Sequence, residues 1–130
     1  MIQKDELDEI FVNKNEPADK RLIIEILKPY VNIDEEGVIS FKDNYEKLNE
    51  NQKSLIYFIC KKAMVLRGVK NITEPTGPTE VTKNAQVSES SAKHAIFRDY
   101  KSLLKKEGNG YVIPNYKLKK VQEILLKNGP

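Results

Sequence analysis

Between residues 90 and 101 lies a run of side chains suited to gripping an anion or exchanging hydrogen bonds with a polar edge: Ser90, Ser91, Lys93, His94, Arg98 and Lys101. The serine hydroxyls donate and accept, His94 does either, and Lys93 and Lys101 are point charges. Arg98 presents a planar fork that fits two acceptors side by side. If the stretch is helical, about 100° of turn per residue puts Ala92, Ile96, Tyr100 and Leu103 on one side. The polar set falls opposite, with Lys93 on the flank. Thr76, Thr79 and the free N–H groups of a helix opening at Pro78, with Lys83 nearby, form a second candidate seat for a phosphate. Lys105, Lys106 and Asn109 follow as a third. Any solvated helix face carries such residues, serine above all. Asp99 or Glu107 could also neutralise Arg98, and Glu89 opposes anion binding while suiting a helix start.

Catalytic chemistry has little to work with, and no enzyme is expected. His94 is the single histidine and Cys60 the single cysteine among 130 residues. A Ser/His/Asp relay would depend on that one imidazole, and a Cys/His zinc site has too few ligands. The acids Asp34, Glu35 and Glu36 read as a solvated turn, and no Gly-rich phosphate loop appears, so no metal or cofactor is expected. Cys60 reads as buried helix packing. No apolar run reaches the length of a membrane span, the first residues lack a secretory leader, and a lone cysteine forms no internal disulfide; a cytoplasmic location is expected.

The net charge of +3 hides an uneven distribution. Residues 1–50 carry 7 Lys/Arg against 13 Asp/Glu, a balance of −6, whereas residues 51–130 carry 15 against 6, a balance of +9. Such asymmetry fits two surfaces with different partners: the basic part suits a polyanion and the acidic part avoids one. The blander account is that the acidic part docks on the basic one.

The elements that must position these residues are legible as pattern. Asp5 to Phe11 is a short amphipathic stretch. Pro17 is expected at the first position of a helix lined by Leu22, Ile23, Ile26 and Leu27 and ended near Pro29. Tyr30–Ile33 and Val38–Lys42 read as a hairpin. Asn49, with Gln52 three residues on, caps a wide buried helix around Leu55, Ile56 and Ile59 that Gly68 stops. Residues 69–76 read as a loop. Pro78 opens a short helix to about Ala85, Gln86-Val87-Ser88 makes a turn, and Ser88 caps the helix bearing the polar set. Leu103–Lys106 and Gly110–Ile113 flank Glu107-Gly108-Asn109 as a tight hairpin; the alternative is a helix running on to Lys106. Asn115 is expected to cap a terminal helix with Leu118, Val121, Ile124 and Leu125 on one face.

Long helix, short helix, turn, second short helix and hairpin is an order that resembles the winged helix-turn-helix superfamily. The residues carrying the resemblance are Val81, Val87-Ser88, Ala92, Ile96, Ser102-Leu103-Leu104 and Gly110-Tyr111-Val112-Ile113, over roughly residues 50–126. Gly110 to Tyr116 is similar to the ending of uncharacterised archaeal winged-helix proteins. Gln86 and Ser102 stand where the family usually has glycine. Residues 1–49 match no family and are read from their own pattern as an acidic N-terminal α/β cap of helix and β-hairpin. With the winged helix-turn-helix module and C-terminal helix that the resemblance implies over 50–130, the chain is expected to be α+β, mainly helical. The resemblance implies duplex DNA binding and transcription regulation through Ser90, Ser91, Lys93, His94, Arg98 and Lys101, with Thr79, Lys83, Lys105, Lys106 and Asn109 in support. Winged helices also act as protein–protein adaptors, which is the alternative. A homodimer through the terminal helix and a protein partner at the acidic N-terminal region complete the expectations.

Overall fold

The first helix opens at Asp19 and not at Pro17. In the computed structural model, which describes Leu7, Ile10, Phe11 and residues 17–128, α1 spans Lys20–Leu27. The Asp19 carboxylate accepts the Leu22 N–H at 3.0 Å, leaving exposed Pro17 outside the helix. An aspartate satisfies one of the orphan N–H groups of a first turn, whereas a proline only removes one, so the cap wins. The Asp5–Phe11 stretch lies outside the described residues apart from Leu7, Ile10 and Phe11, which are exposed.

β1 (Val31–Ile33) and β2 (Ile39–Phe41) pair antiparallel with Asn32 opposite Ser40. Asp34 closes their loop by accepting the N–H groups of Glu36 and Val38, each at 2.9 Å, and Gly37 supplies a φ of 88°. A single-turn helix, α2 (Asp43–Glu46), follows. Its Tyr45 is buried, stacks on Phe41 at 4.2 Å between ring centroids, and donates its hydroxyl to the Ala85 carbonyl.

The central element is α3 (Glu50–Arg67). Asn49 and Gln52 form the reciprocal capping box, and Gly68 ends the helix at a φ of 84°. α1 packs on α3 and on the terminal helix α6 (Leu118–Asn128). The buried residues of α1, β1 and α2 belong to the same hydrophobic cluster as Ile56, Val81, Ile96 and Leu118, so the acidic segment and the basic segment share one core.

α4 (Pro78–Asn84) and α5 (Glu89–His94) are joined by a turn in which Gln86 adopts a φ of 60°. That is the left-handed conformation glycine enters most readily, held here by a residue that must bear its steric cost. α5 does not end at His94: Ala95–Asp99 continue it as a π-turn, closed by the Tyr100 N–H donating to Ala95 O at 2.9 Å. β3 (Lys105–Glu107) and β4 (Gly110–Val112) then form the expected hairpin, so the alternative of a helix reaching Lys106 does not hold. Gly108, first of the two loop residues, has a φ of 60° and Asn109 does not share it, as in a type II′ turn.

Residues 69–76, expected as a plain loop, end in sheet pairing. Thr76 exchanges two backbone hydrogen bonds with Tyr111, at 3.0 and 2.9 Å, and so adds a one-residue rung on the free edge of β4. A Cβ on Gly110 would sit 2.6 Å from the Thr76 nitrogen, so this glycine is required by the approach of another backbone and not by the turn.

Asn115 begins a 3-10 turn (Asn115–Lys117), and its side-chain oxygen accepts from Lys62 at 2.7 Å. Leu118, Val121 and Leu125 of α6 are buried in the core, and Gln122 donates to Glu25 at 3.2 Å. The apolar stripe that motivated a homodimer is thus covered within the chain, and that expectation loses its basis. No helix among the described residues is long and apolar enough to cross a membrane.

Candidate nucleic-acid interface

α5 is held from below by the first turn of α3. The Glu50 carboxylate accepts the Ser88 N–H at 2.5 Å, and that bond, with help from the Ser88 and Ser91 hydroxyls and Lys53, pulls its pKa below the ordinary value. Asn51 donates to Asp99 Oδ2 at 2.5 Å at the far end of the segment. Ser88 itself caps α5 by accepting the Ser91 N–H at 3.1 Å. Ala92, Ala95 and Ile96 are buried against the core, so the segment is fixed at both ends and along its inner side.

The outer side keeps part of the expected set. Ser90, Lys93, His94 and Arg98 are exposed, and no described residue of the N-terminal segment covers them. Ser91 is half-buried and turned toward Glu50, so it leaves the outer face. Lys93 pairs with Glu89 at 2.9 Å, an exposed contact that also lowers the Glu89 pKa, and Arg98 Nε pairs with Asp99 at 3.1 Å. Two of the expected cations are therefore already matched by acids on their own segment. Lys101 lies past the end of the helix, in the turn that leads to β3. The cause is the π-turn: its i→i+5 bonding advances each residue by less than an α-helix does, and it closes at Tyr100.

The expected phosphate seat at α4 does not assemble. Thr76 is 1 % exposed, with its hydroxyl donating to Glu74 O at 2.8 Å and its backbone consumed by Tyr111. Thr79 is exposed, but Lys83 lines a cleft with Val38, Tyr57 and Glu80 on the side of the β1–β2 hairpin. By contrast, Lys101, Lys105, Lys106 and Asn109 are all exposed, and none of these lysines has an ion-pair partner among the described residues.

Two features add to the sequence pattern. Phe97, which helical counting sets at about 140° from Ala92 and so outside the buried stripe, touches the hairpin only edge-on, against Tyr111 at 5.6 Å between centroids and 83° between planes, and remains 51 % exposed. Lys61 and Lys62, each 4 % exposed on α3, pair with Glu80 and Glu74. The sequence does hold a signal for this pair: two lysines sit within an otherwise apolar helix surface. Burial leaves Cys60 with a pKa pushed up to about 12, so it is a packed thiol and not a nucleophile. Among the described residues no group of three or more His, Cys, Asp and Glu side chains could hold a metal ion. No protein family, no curated protein and no solved structure matches the chain.

Proposed function

We propose that residues 50–126 form a winged helix-turn-helix that binds duplex DNA as a transcriptional regulator, with α5 entering the major groove. The order α3, Thr76 rung, α4, α5, β3–β4 and α6 supports the fold reading. The observation that carries the functional one is the exposed lysine series Lys101, Lys105 and Lys106, which has no ion-pair partner among the described residues and immediately follows an uncovered helix face. Unpaired exposed cations release counterions from a polyanion without first breaking an internal ion pair. Lys93 and Arg98 stand in Coulombic contact with Glu89 and Asp99, so phosphate affinity rests on the turn and hairpin lysines. Ser90 and His94 are the residues left to face base edges.

Fluorescence anisotropy of a labelled mixed-sequence duplex, titrated across salt, tests the proposal. Binding that weakens steeply with salt is expected, with a slope reduced in Lys101→Ala/Lys105→Ala/Lys106→Ala. The neutralised Lys93 and Arg98 favour a second reading, a protein–protein adaptor, with the acidic N-terminal region as a further contact. Failure to bind any duplex at low salt would direct the search to a protein partner.

A further inference from the structure

Phe97 is the side chain on the outer face that the proposed phosphate contacts leave unexplained. A single exposed apolar residue needs no explanation by itself. This one is different in three respects. It sits in the middle of the π-turn Ala95–Asp99, a helix distortion often found at functional sites. Tyr111 braces its ring edge-on, so the ring is held in place while 51 % of its surface is left to solvent. Lys106 lies directly across the hairpin from Tyr111, and His94 precedes Phe97 by less than one turn on the same exposed segment. Tyr111 thus links the apolar ring to Lys106, a cation with no ion-pair partner among the described residues.

Resting on the DNA reading, we infer that Phe97 is a base-contacting residue that recognises thymine through its 5-methyl group in the major groove, while Lys106 holds a neighbouring phosphate. The thymine methyl is the apolar landmark of the major groove, and an aromatic side chain packs against it without needing a hydrogen-bond partner. Tyr111 acts as a positioning residue: its edge contact limits the orientations the Phe97 ring must give up on binding.

The test removes the methyl group and the ring separately. An A·T-rich duplex and the same sequence with every thymine replaced by uracil are titrated against wild type, Phe97→Ala and Phe97→Leu at several salt concentrations. Thermal melting confirms that the variants remain folded. Wild type is expected to bind the thymine duplex about fourfold more tightly, the worth of one buried methyl group. Phe97→Ala is expected to lose that preference with an unchanged salt slope, and Phe97→Leu to keep part of it. An equal preference for the thymine duplex in wild type and Phe97→Ala, or no preference in wild type, overturns the methyl contact while leaving DNA binding intact. In a parallel titration of the unpaired strand, tighter binding than to the duplex that depends on Phe97 also overturns it, in favour of base stacking. Absence of binding to either duplex overturns the DNA reading and the inference together.

Discussion

Two sets of lysines in the same basic segment meet opposite fates. Lys61 and Lys62 lie within the folded interior of α3. Lys61 meets Glu80, which also accepts the Tyr57 hydroxyl at 2.6 Å, and Lys62 meets Glu74 at 2.8 Å and Asn115 at 2.7 Å. Lys101, Lys105 and Lys106 stand in water with no such partner among the described residues. A charge taken out of water must be matched, so the first set uses acids to tie α3 to the start of α4 and to the segment before it. The second set is left available to something outside the chain. The balance of +9 over residues 51–130 therefore sums a buried, matched pair and a larger set of exposed cations.

The largest effect is expected at Gly110, which lets the loop bearing Glu74 and Thr76 reach the hairpin. A methyl group there would press on the Thr76 nitrogen and the Pro75 carbonyl carbon at 2.6 and 2.7 Å, both backbone atoms that cannot step aside. Gly110→Ala should cost roughly 3 kcal/mol in chemical denaturation, on the scale of severe overpacking. Unchanged stability would mean that the Thr76 rung is not needed. Next comes the buried ion pair: Lys61→Ala should cost about 2 kcal/mol, below the usual 3–5 for a broken buried pair because Glu80 is partly exposed. A loss no larger than that of Lys105→Ala would erase the contrast between the two sets.

Alkaline pH should sharpen it further. Burial, with Glu80 accepting from its hydroxyl and repelling a phenolate, raises the Tyr57 pKa; burial also raises that of Tyr45. Unfolded tyrosines ionise near pH 10 while these two stay protonated when folded, so the folded state holds more protons above that pH. Stability from both groups is full below pH 10 and falls as pH rises beyond it. Denaturation curves at neutral and alkaline pH, with tyrosinate absorbance as a second signal, check the sign; Tyr57→Phe should flatten the fall. The smallest effect belongs to the outer set. Lys101→Ala, Lys105→Ala and Lys106→Ala should each shift stability by less than about 0.5 kcal/mol, as expected for surface positions without a partner.

Which parts of this contrast were legible in the sequence follows from how local each cause is. The Asn49/Gln52 capping box, the Gly68 stop and the Ser88 cap are satisfied within one turn of chain, and each holds as read. The β3–β4 hairpin is equally local. What the pattern missed depends on contacts between distant segments. Tyr45 forms α2 because its ring has Phe41 and Ala85 to meet. Thr76 joins the sheet because Gly110 leaves room, although Asn109-Gly110 reads locally as a turn signal. In the candidate site, the hairpin lysines were readable and remain exposed. Helical counting places Ile96 and Leu103 inside and Arg98 outside, as found; what it misses is the π-turn, after which Lys101 lies beyond the helix end. Ser91 turned inward for another nonlocal reason, the Glu50 carboxylate beneath α5.

The most direct measurement is the salt dependence of duplex binding by wild type and by Lys101→Ala/Lys105→Ala/Lys106→Ala, with both proteins verified as equally stable. If each lysine neutralises one phosphate, the slope of log affinity against log salt falls in magnitude by about 2.7 in the triple variant, at roughly 0.9 per contact. An unchanged slope in a wild-type protein that binds, or no binding by wild type at low salt, contradicts the assignment of these exposed lysines to DNA.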